Sequence, residues 1–69
     1  MIPDSILSRL NPERERQTIS IGPAEFQALK KSDTVVTHHY QIVVIDVEEL
    51  RLARSLPSYH ATFSSVPVG

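Results

Sequence analysis

The sequence contains no cysteine and only two glycines among its 69 residues. Without cysteine there is no disulfide, and a structural zinc site would have to be built from three histidines and scattered carboxylates. A chain of this length forms one domain, which buries only about 60% of the surface that the unfolded chain exposes. We therefore expect self-association to supplement a small core, and we predict a homodimer.

Neither sign of charge is in excess, because seven Lys and Arg oppose eight Asp and Glu and leave a net charge of −1. This balance provides no overall field that would attract a nucleic acid, so any such contact would depend on a local basic cluster. Long hydrophobic runs are also missing, since the longest strongly apolar run covers residues 42–45 and a bilayer span needs roughly 20 residues. With no signal-like start either, we expect no membrane contact and a cytoplasmic location.

Sequence motifs of catalysis are missing as well. There is no Gly-x-Ser-x-Gly, and two glycines cannot form a phosphate-binding loop. So small a chain also has little volume for a pocket of several hundred cubic ångströms. We therefore predict that the protein is not an enzyme, that it has no catalytic residues and that it needs no cofactor.

The adjacent histidines His38 and His39 are the residues most suggestive of a metal site. Neighbouring residues on a strand point to opposite faces, so the two imidazoles cannot share one metal within a subunit. A site would require His38 to meet His60 or a second copy of the chain. We predict no metal site and interpret His38 as part of an interface and His39 as solvent-facing.

The first 17 residues predict a short helix followed by a charged linker. Pro3 suits the first turn of a helix, and Ile6, Leu7 and Leu10 then fall on one side of it. Residues 13–16 alternate in charge and contain no apolar anchor, which is typical of a solvated linker.

A strand and a helix are predicted next. Residues 18–21 alternate polar and apolar side chains, as a short strand does. Gly22 then stands at a helix N-cap position, with Pro23 at the first and Glu25 at the third helical position, while Ile21 and Phe26 have the spacing of a hydrophobic staple. We predict a helix over residues 23–31.

Residues 34–45 predict one long strand, because they are dominated by β-branched and aromatic side chains and contain no Gly, Pro or Asn. Twelve residues at about 3.3 Å each reach nearly 40 Å, more than a compact domain of this size requires. Part of the strand is therefore expected to pair outside its own subunit. Alternation places the predicted dimer interface on one face, formed by Val36, His38, Tyr40, Ile42 and Val44.

A helix is predicted over residues 47–56. Asp46 and Glu49 have the spacing of a capping box, Ile45 and Leu50 that of a hydrophobic staple, and Pro57 would end the helix.

Residues 41–56, read as a strand that passes into a capped helix, resemble the ribbon-helix-helix repressors and the small winged-helix excisionases. The resemblance implies a dimeric DNA-binding regulator that sets Arg51 and Arg54, or Lys30 and Lys31, against phosphates. Residues 42–44 are apolar where a ribbon-helix-helix strand reads base edges, and no basic recognition helix precedes the strand. DNA binding is therefore the alternative function, and solvated helix faces are the favoured interpretation of these charges.

The last 15 residues carry no Lys, Arg, Asp or Glu, yet they include Tyr59 and Phe63. Hanging free, such a segment would be prone to aggregate, so residues 59–63 are expected to add a strand to a sheet, with residues 64–69 as a loose tail. The predicted fold is a single α+β domain with the order helix, strand, helix, long strand, helix, short strand. Its body covers residues 18–63, and dimerisation is expected to complete its sheet.

The preferred functional hypothesis is a non-enzymatic interaction module, a homodimer that binds a larger protein and modulates or inhibits it. The analogy is to small accessory proteins of mobile elements, and it is based on size and on the absence of other signals. Tyrosine and arginine carry much of the binding energy at such interfaces. The predicted partner contacts are therefore Tyr40, Tyr59 and Phe63 as aromatic anchors and Arg51 and Arg54 as charged anchors.

Overall fold

A four-stranded antiparallel sheet and two short helices make up the computed structural model, which describes residues 1–68. Strands outweigh helices, so the predicted α+β class holds only loosely. The strands lie in the order β1-β4-β3-β2 in the sheet. The elements in chain order are α1 (Asp4–Leu7), β1 (Arg16–Ile21), α2 (Pro23–Ala28), β2 (Thr34–Val36), β3 (Tyr40–Leu50) and β4 (Ser58–Pro67).

The hydrophobic core lies on one face of the sheet. Val44 and Phe63 are opposite each other in the β3–β4 register, and both are 1% exposed. Ile6 of α1 belongs to the same core cluster and is fully buried. The other core residues are Ile2, Leu10, Ile21, Leu29, Ile42 and Ala61. On the opposite face, which neither helix of residues 1–68 covers, β1 and β4 are joined by a hydrogen bond of 2.9 Å between the hydroxyls of Thr18 and Thr62.

A β-bulge in β3 decides which side chains of this strand face the core. Val44 pairs with Phe63 and Asp46 pairs with Thr62, so Ile45 is an extra residue without a partner in the register. An unbulged strand would place position 46 on the same face as Val44. The bulge turns Asp46 outward and brings Val47 to the inner face.

The predicted start of the second helix is confirmed. The backbone N–H of Gly22 donates to Glu25 Oε1 at 2.9 Å, as the capping pattern requires. The helix ends at Ala28, three residues before the predicted end. Leu29 is extended and only 5% exposed, because its burial in the core takes the chain out of the helix.

The single long strand predicted over residues 34–45 is wrong, because the chain turns at residues 37–39 and forms β2 and β3. Thr37 holds the turn: its N–H donates to the Tyr40 carbonyl at 2.8 Å, and its hydroxyl accepts the Tyr40 N–H at 3.1 Å. A threonine side chain that bonds nearby backbone competes with the sheet ladder in this way. β2 then pairs with β3 of the same chain, so strand length gives no argument for a dimer.

The predicted dimer interface is wrong at two of its five positions. Ile42 and Val44 are 4% and 1% exposed within the chain's own core, so they cannot contact a second copy. Val36 is 65% exposed and His38 lies exposed in the turn, whereas Tyr40 is half-buried. Because Val36 lies on β2, His38 in the turn and Tyr40 at the start of β3, these three residues do not form one surface.

The third helix is also wrong. Residues 46–50 belong to β3, whose register pairs Leu50 with Ser58, and residues 51–57 form a loop. The local capping pattern is outweighed by pairing with β4, a long-range contact that propensity cannot reveal. The resemblance to DNA-binding repressors required a strand followed by a helix, and the described residues do not contain that unit.

The predicted C-terminal strand is confirmed and extends further, over Ser58–Pro67. Residues 64–67 therefore belong to the sheet and do not form the predicted loose tail; Gly69 lies outside the described residues. Ser65 fixes this end of the strand. It is 3% exposed, its hydroxyl donates to the Pro12 carbonyl at 2.7 Å, and its N–H donates to the Glu15 carbonyl at 2.9 Å.

Candidate interaction surface at the hairpin arm

The end of the β3–β4 hairpin extends beyond the rest of the sheet. β2 pairs with β3 only as far as Val43, and β1 pairs with β4 only from Tyr59 onward. We call residues 46–58 the arm and residues 50–56 its tip. Residues 46–49 lack a neighbour only on the β2 side, because the β4 residues opposite them pair with β1, whereas residues 50–58 extend past both outer strands. The molecule measures 47 × 19 × 18 Å. The hairpin accounts for this elongation, because the 11 residues of β3 span roughly 36 Å at about 3.3 Å each.

Three leucines are exposed at the tip. Leu50 is 46% exposed, Leu52 74% and Leu56 89%. Together with Arg51 they line a shallow cleft of about 320 Å³, whose floor includes the outward-facing His60 of β4. Contiguous exposed apolar side chains rimmed by polar groups are typical of an interaction site.

The tip loop has little internal bonding to hold these leucines. One backbone bond crosses it, from the Ser55 N–H to the Leu52 carbonyl at 3.1 Å. Arg54 adopts a φ of 69°, the left-handed region that is unfavourable for a residue with a Cβ. The conformation is therefore maintained by its position between two paired strands.

Charge is separated along the arm. Asp46 and Glu48 stand exposed on the outer face of β3, whereas Arg51 and Arg54 lie at the tip. Arg51 forms an exposed ion pair with Glu49 at 3.2 Å. Such a surface pair is worth well under about 1 kcal/mol, so Arg51 remains available to a partner carboxylate.

The structure places the predicted partner contacts in four different environments. Arg51 and Arg54 lie together at the tip and stay candidates. Phe63 is a core residue, only 1% exposed, so its assignment as a partner contact is wrong. Tyr59 is half-buried, and its ring packs on Phe26 with centroids 4.6 Å apart. Tyr40 pairs with a residue at the other end of β4, beside a cleft of about 520 Å³.

The tip leucines were missed by sequence reasoning because the predicted third helix would have buried Leu50 and Leu56. One signal could have identified them: residues 50–58 combine three leucines and two arginines with no acidic residue.

The two adjacent histidines are exposed in the β2–β3 turn, and their ring centroids are 6.4 Å apart. Within residues 1–68 no cluster of three or more His, Asp or Glu side chains has the arrangement needed for a metal ion. The Nδ1 atom of His60 is buried without a hydrogen-bond partner in that part of the chain.

The strongest polar cluster is structural and lies away from the arm. Glu25 accepts hydrogen bonds from the Gly22 N–H, the Ser5 hydroxyl and the Arg9 guanidinium, the last at 2.8 and 2.9 Å. These bonds, that from Gly22 foremost, lower the pKa of Glu25 from its ordinary value of 4.5 to about 2. Arg9 also donates to the Ser20 carbonyl at 2.9 Å, so the cluster joins α1 to β1 and α2.

A second carboxylate holds the turn that leads into β2. Asp33 accepts hydrogen bonds from the Met1 ammonium at 2.6 Å and from the Lys30 N–H at 3.0 Å. These two bonds lower the pKa of Asp33. These bonds hold the turn beside Val44 of β3, which is the last residue of β3 that is hydrogen-bonded on the β2 side.

Comparison with known proteins finds no matching family model, no curated protein and no solved structure with significant similarity. No helix within residues 1–68 is long and apolar enough to cross a bilayer.

Proposed function

We propose that this chain is a non-enzymatic interaction module that acts in the cytoplasm. The tip of the arm enters a hydrophobic groove of a larger protein, and the occupied groove modulates or inhibits that protein. The exposure of Leu52 and Leu56 at the end of a projecting hairpin is the observation that carries this proposal.

The tip leaves a large apolar surface in contact with water. Full burial of one leucine side chain is worth about 1.5–3 kcal/mol. With 74% and 89% of their surfaces exposed, Leu52 and Leu56 gain most of that only when another molecule covers them. Arg51 and Arg54 flank them and supply the residue type that is enriched among interface hot spots.

The proposed contact surface differs from the predicted one in composition. Leu50, Leu52 and Leu56 take the anchoring role that was assigned to Phe63, and the two arginines keep theirs. Tyr59, at the base of the arm, is the aromatic residue nearest to this surface along β4. The predicted contact at Tyr40 belongs to the other end of the hairpin and is not part of the proposed surface.

Self-association stays a prediction with a changed physical basis. The small core still leaves a need for added stability, but within residues 1–68 each of the four strands pairs with another strand of the same chain. Sedimentation equilibrium across micromolar concentrations measures it directly. A mass of 7.7 kDa at every concentration would identify a monomer.

Affinity capture tests the proposal with two matched variants. Leu52→Ser with Leu56→Ser removes the apolar tip, and Val36→Thr with Val66→Thr removes two exposed apolar side chains outside the arm. We expect a host protein, identified by mass spectrometry and confirmed with the purified partner, to bind wild type and the valine variant but to bind the tip variant at least tenfold more weakly. Equal binding by both variants would place the contact elsewhere.

A further inference from the structure

The arm has one side on which its backbone is unpaired. β2 reaches only residues 41–43 of β3, and the turn before β2 then takes up Val44. The Ser32 N–H donates to the Val44 carbonyl, and the Val44 N–H donates to the Asp33 carbonyl, both at 2.8 Å. Beyond Val44, no segment within residues 1–68 pairs with this side of β3. Residues 46–50 are therefore an open sheet edge.

The direction of the backbone groups at this edge follows from β4. The Ser65 N–H donates to the residue that precedes β1, so Ser65 directs its backbone groups toward β1. Backbone groups alternate along an antiparallel strand, which directs those of positions 61 and 59 toward β1 as well. Val47 and Glu49 lie opposite these two positions. Their own N–H and C=O groups consequently point away from β4, into the open edge.

The acidic side chains at the edge favour pairing with a basic segment. Asp46 and Glu48 are exposed on its outer face, and neither has an ion pair among the described residues, whereas Glu49 is paired with Arg51. Two copies of this edge would bring carboxylates opposite carboxylates, which is destabilising across strands. Lysine or arginine at every second position of an added strand would instead lie opposite Asp46 and Glu48.

We propose that residues 46–50 bind an extended basic segment of the partner protein as a fifth strand. Its backbone bonds to Val47 and Glu49, and its Lys or Arg side chains face Asp46 and Glu48. In strand addition, main-chain bonds provide affinity and alternate side chains provide specificity. This inference relies on the proposed function for a protein partner, and it identifies a second contact, adjacent to the apolar tip, and the chemistry of the segment that occupies it.

Fluorescence anisotropy with a labelled peptide of alternating lysine and valine tests the pairing on the full chain. Glu49→Pro and Glu49→Ala remove the same charge, but only proline removes the outward N–H, at a position where no bond to β4 is lost. We expect Glu49→Pro to bind the peptide at least tenfold more weakly than Glu49→Ala. Asp46→Lys with Glu48→Lys should prefer a glutamate–valine peptide, and a lysine–proline peptide of equal charge should bind wild type at least tenfold more weakly.

Hydrogen exchange on the wild-type chain removes any dependence on how the variants fold. At saturating lysine–valine peptide, the amides of Val47 and Glu49 should exchange at least tenfold more slowly. Unchanged exchange, equal binding of the lysine–proline peptide, or no binding at millimolar peptide would each overturn the inference. The tip variant of Leu52 and Leu56 should bind the peptide as wild type does, so a failed edge is distinguishable from a failed tip.

Discussion

Replacing Phe63 by alanine tests whether this aromatic residue belongs to the core or to a partner surface. The side chain is 1% exposed, lies opposite Val44 and occupies β4, an interior strand paired on both sides. Truncation of a buried phenylalanine costs about 3–5 kcal/mol, because transfer free energy and packing are lost together. A 69-residue domain has a total stability of roughly 3–10 kcal/mol, so the loss is a large part of it.

The expected shift in melting temperature follows from the size of the chain. At about 2.1 cal/mol/K per residue, 69 residues give an unfolding entropy near 0.14 kcal/mol/K, so the loss corresponds to roughly 20–35 °C. Leu56→Ala is the matched control, because Leu56 is 89% exposed and its truncation should leave the melting temperature within about 3 °C. Thermal unfolding followed by circular dichroism compares the two. If Phe63→Ala melted as high as Leu56→Ala, the core assignment and the register of β4 would be wrong.

Three further predictions concern the scaffold. The pKa of Glu25 is about 2 in the folded chain and 4.5 ordinarily, so its contribution to the free energy of unfolding is complete above pH 4.5 and is lost as the pH falls toward 2. In acid unfolding, the stability of Glu25→Gln should therefore decline less steeply than that of wild type over this interval. Ser65→Ala leaves the Pro12 carbonyl without its donor and should cost about 1–3 kcal/mol in urea unfolding, whereas the exposed Ser58→Ala should cost almost nothing. Arg54→Gly removes the left-handed backbone strain at the tip, so it should raise the free energy of unfolding by up to about 1 kcal/mol and weaken partner capture. A variant less stable than wild type would contradict the loop conformation.

Local patterns predicted the first half of the chain well. The helix start at Gly22 depends on residues within one turn, and the Glu25 carboxylate bonds the Gly22 N–H as its position in the sequence indicates. The strand near residues 18–21 alternates over a few positions and is confirmed as part of Arg16–Ile21. Such signals are short-range, so the sequence contains the whole of the information that decides them.

The secondary structure of the second half was predicted less well, because it depends on pairing between strands rather than on neighbouring residues. Asp46 and Glu49 carry a genuine helix-start pattern, yet residues 46–50 pair with β4 and Leu50 lies opposite Ser58. Thr37 gives no Gly or Pro signal for a turn, although its side chain forms one. Because of the first error, the tip leucines were predicted to lie in a helix, although they lie in an exposed loop. Because of the second, residues 34–45 were predicted to form one strand long enough to require a second subunit.

Composition and local pattern by themselves determined that these 69 residues form no disulfide, that a capped helix starts after Gly22, and that the uncharged C-terminal segment enters a sheet. Only the tertiary structure decided that the chain reverses at Thr37, that the bulge at Ile45 turns Asp46 outward, and that Leu52 and Leu56 end in solvent. The physical reason is that a strand acquires its faces and edges from the neighbour it pairs with, and that neighbour lies far away in the chain.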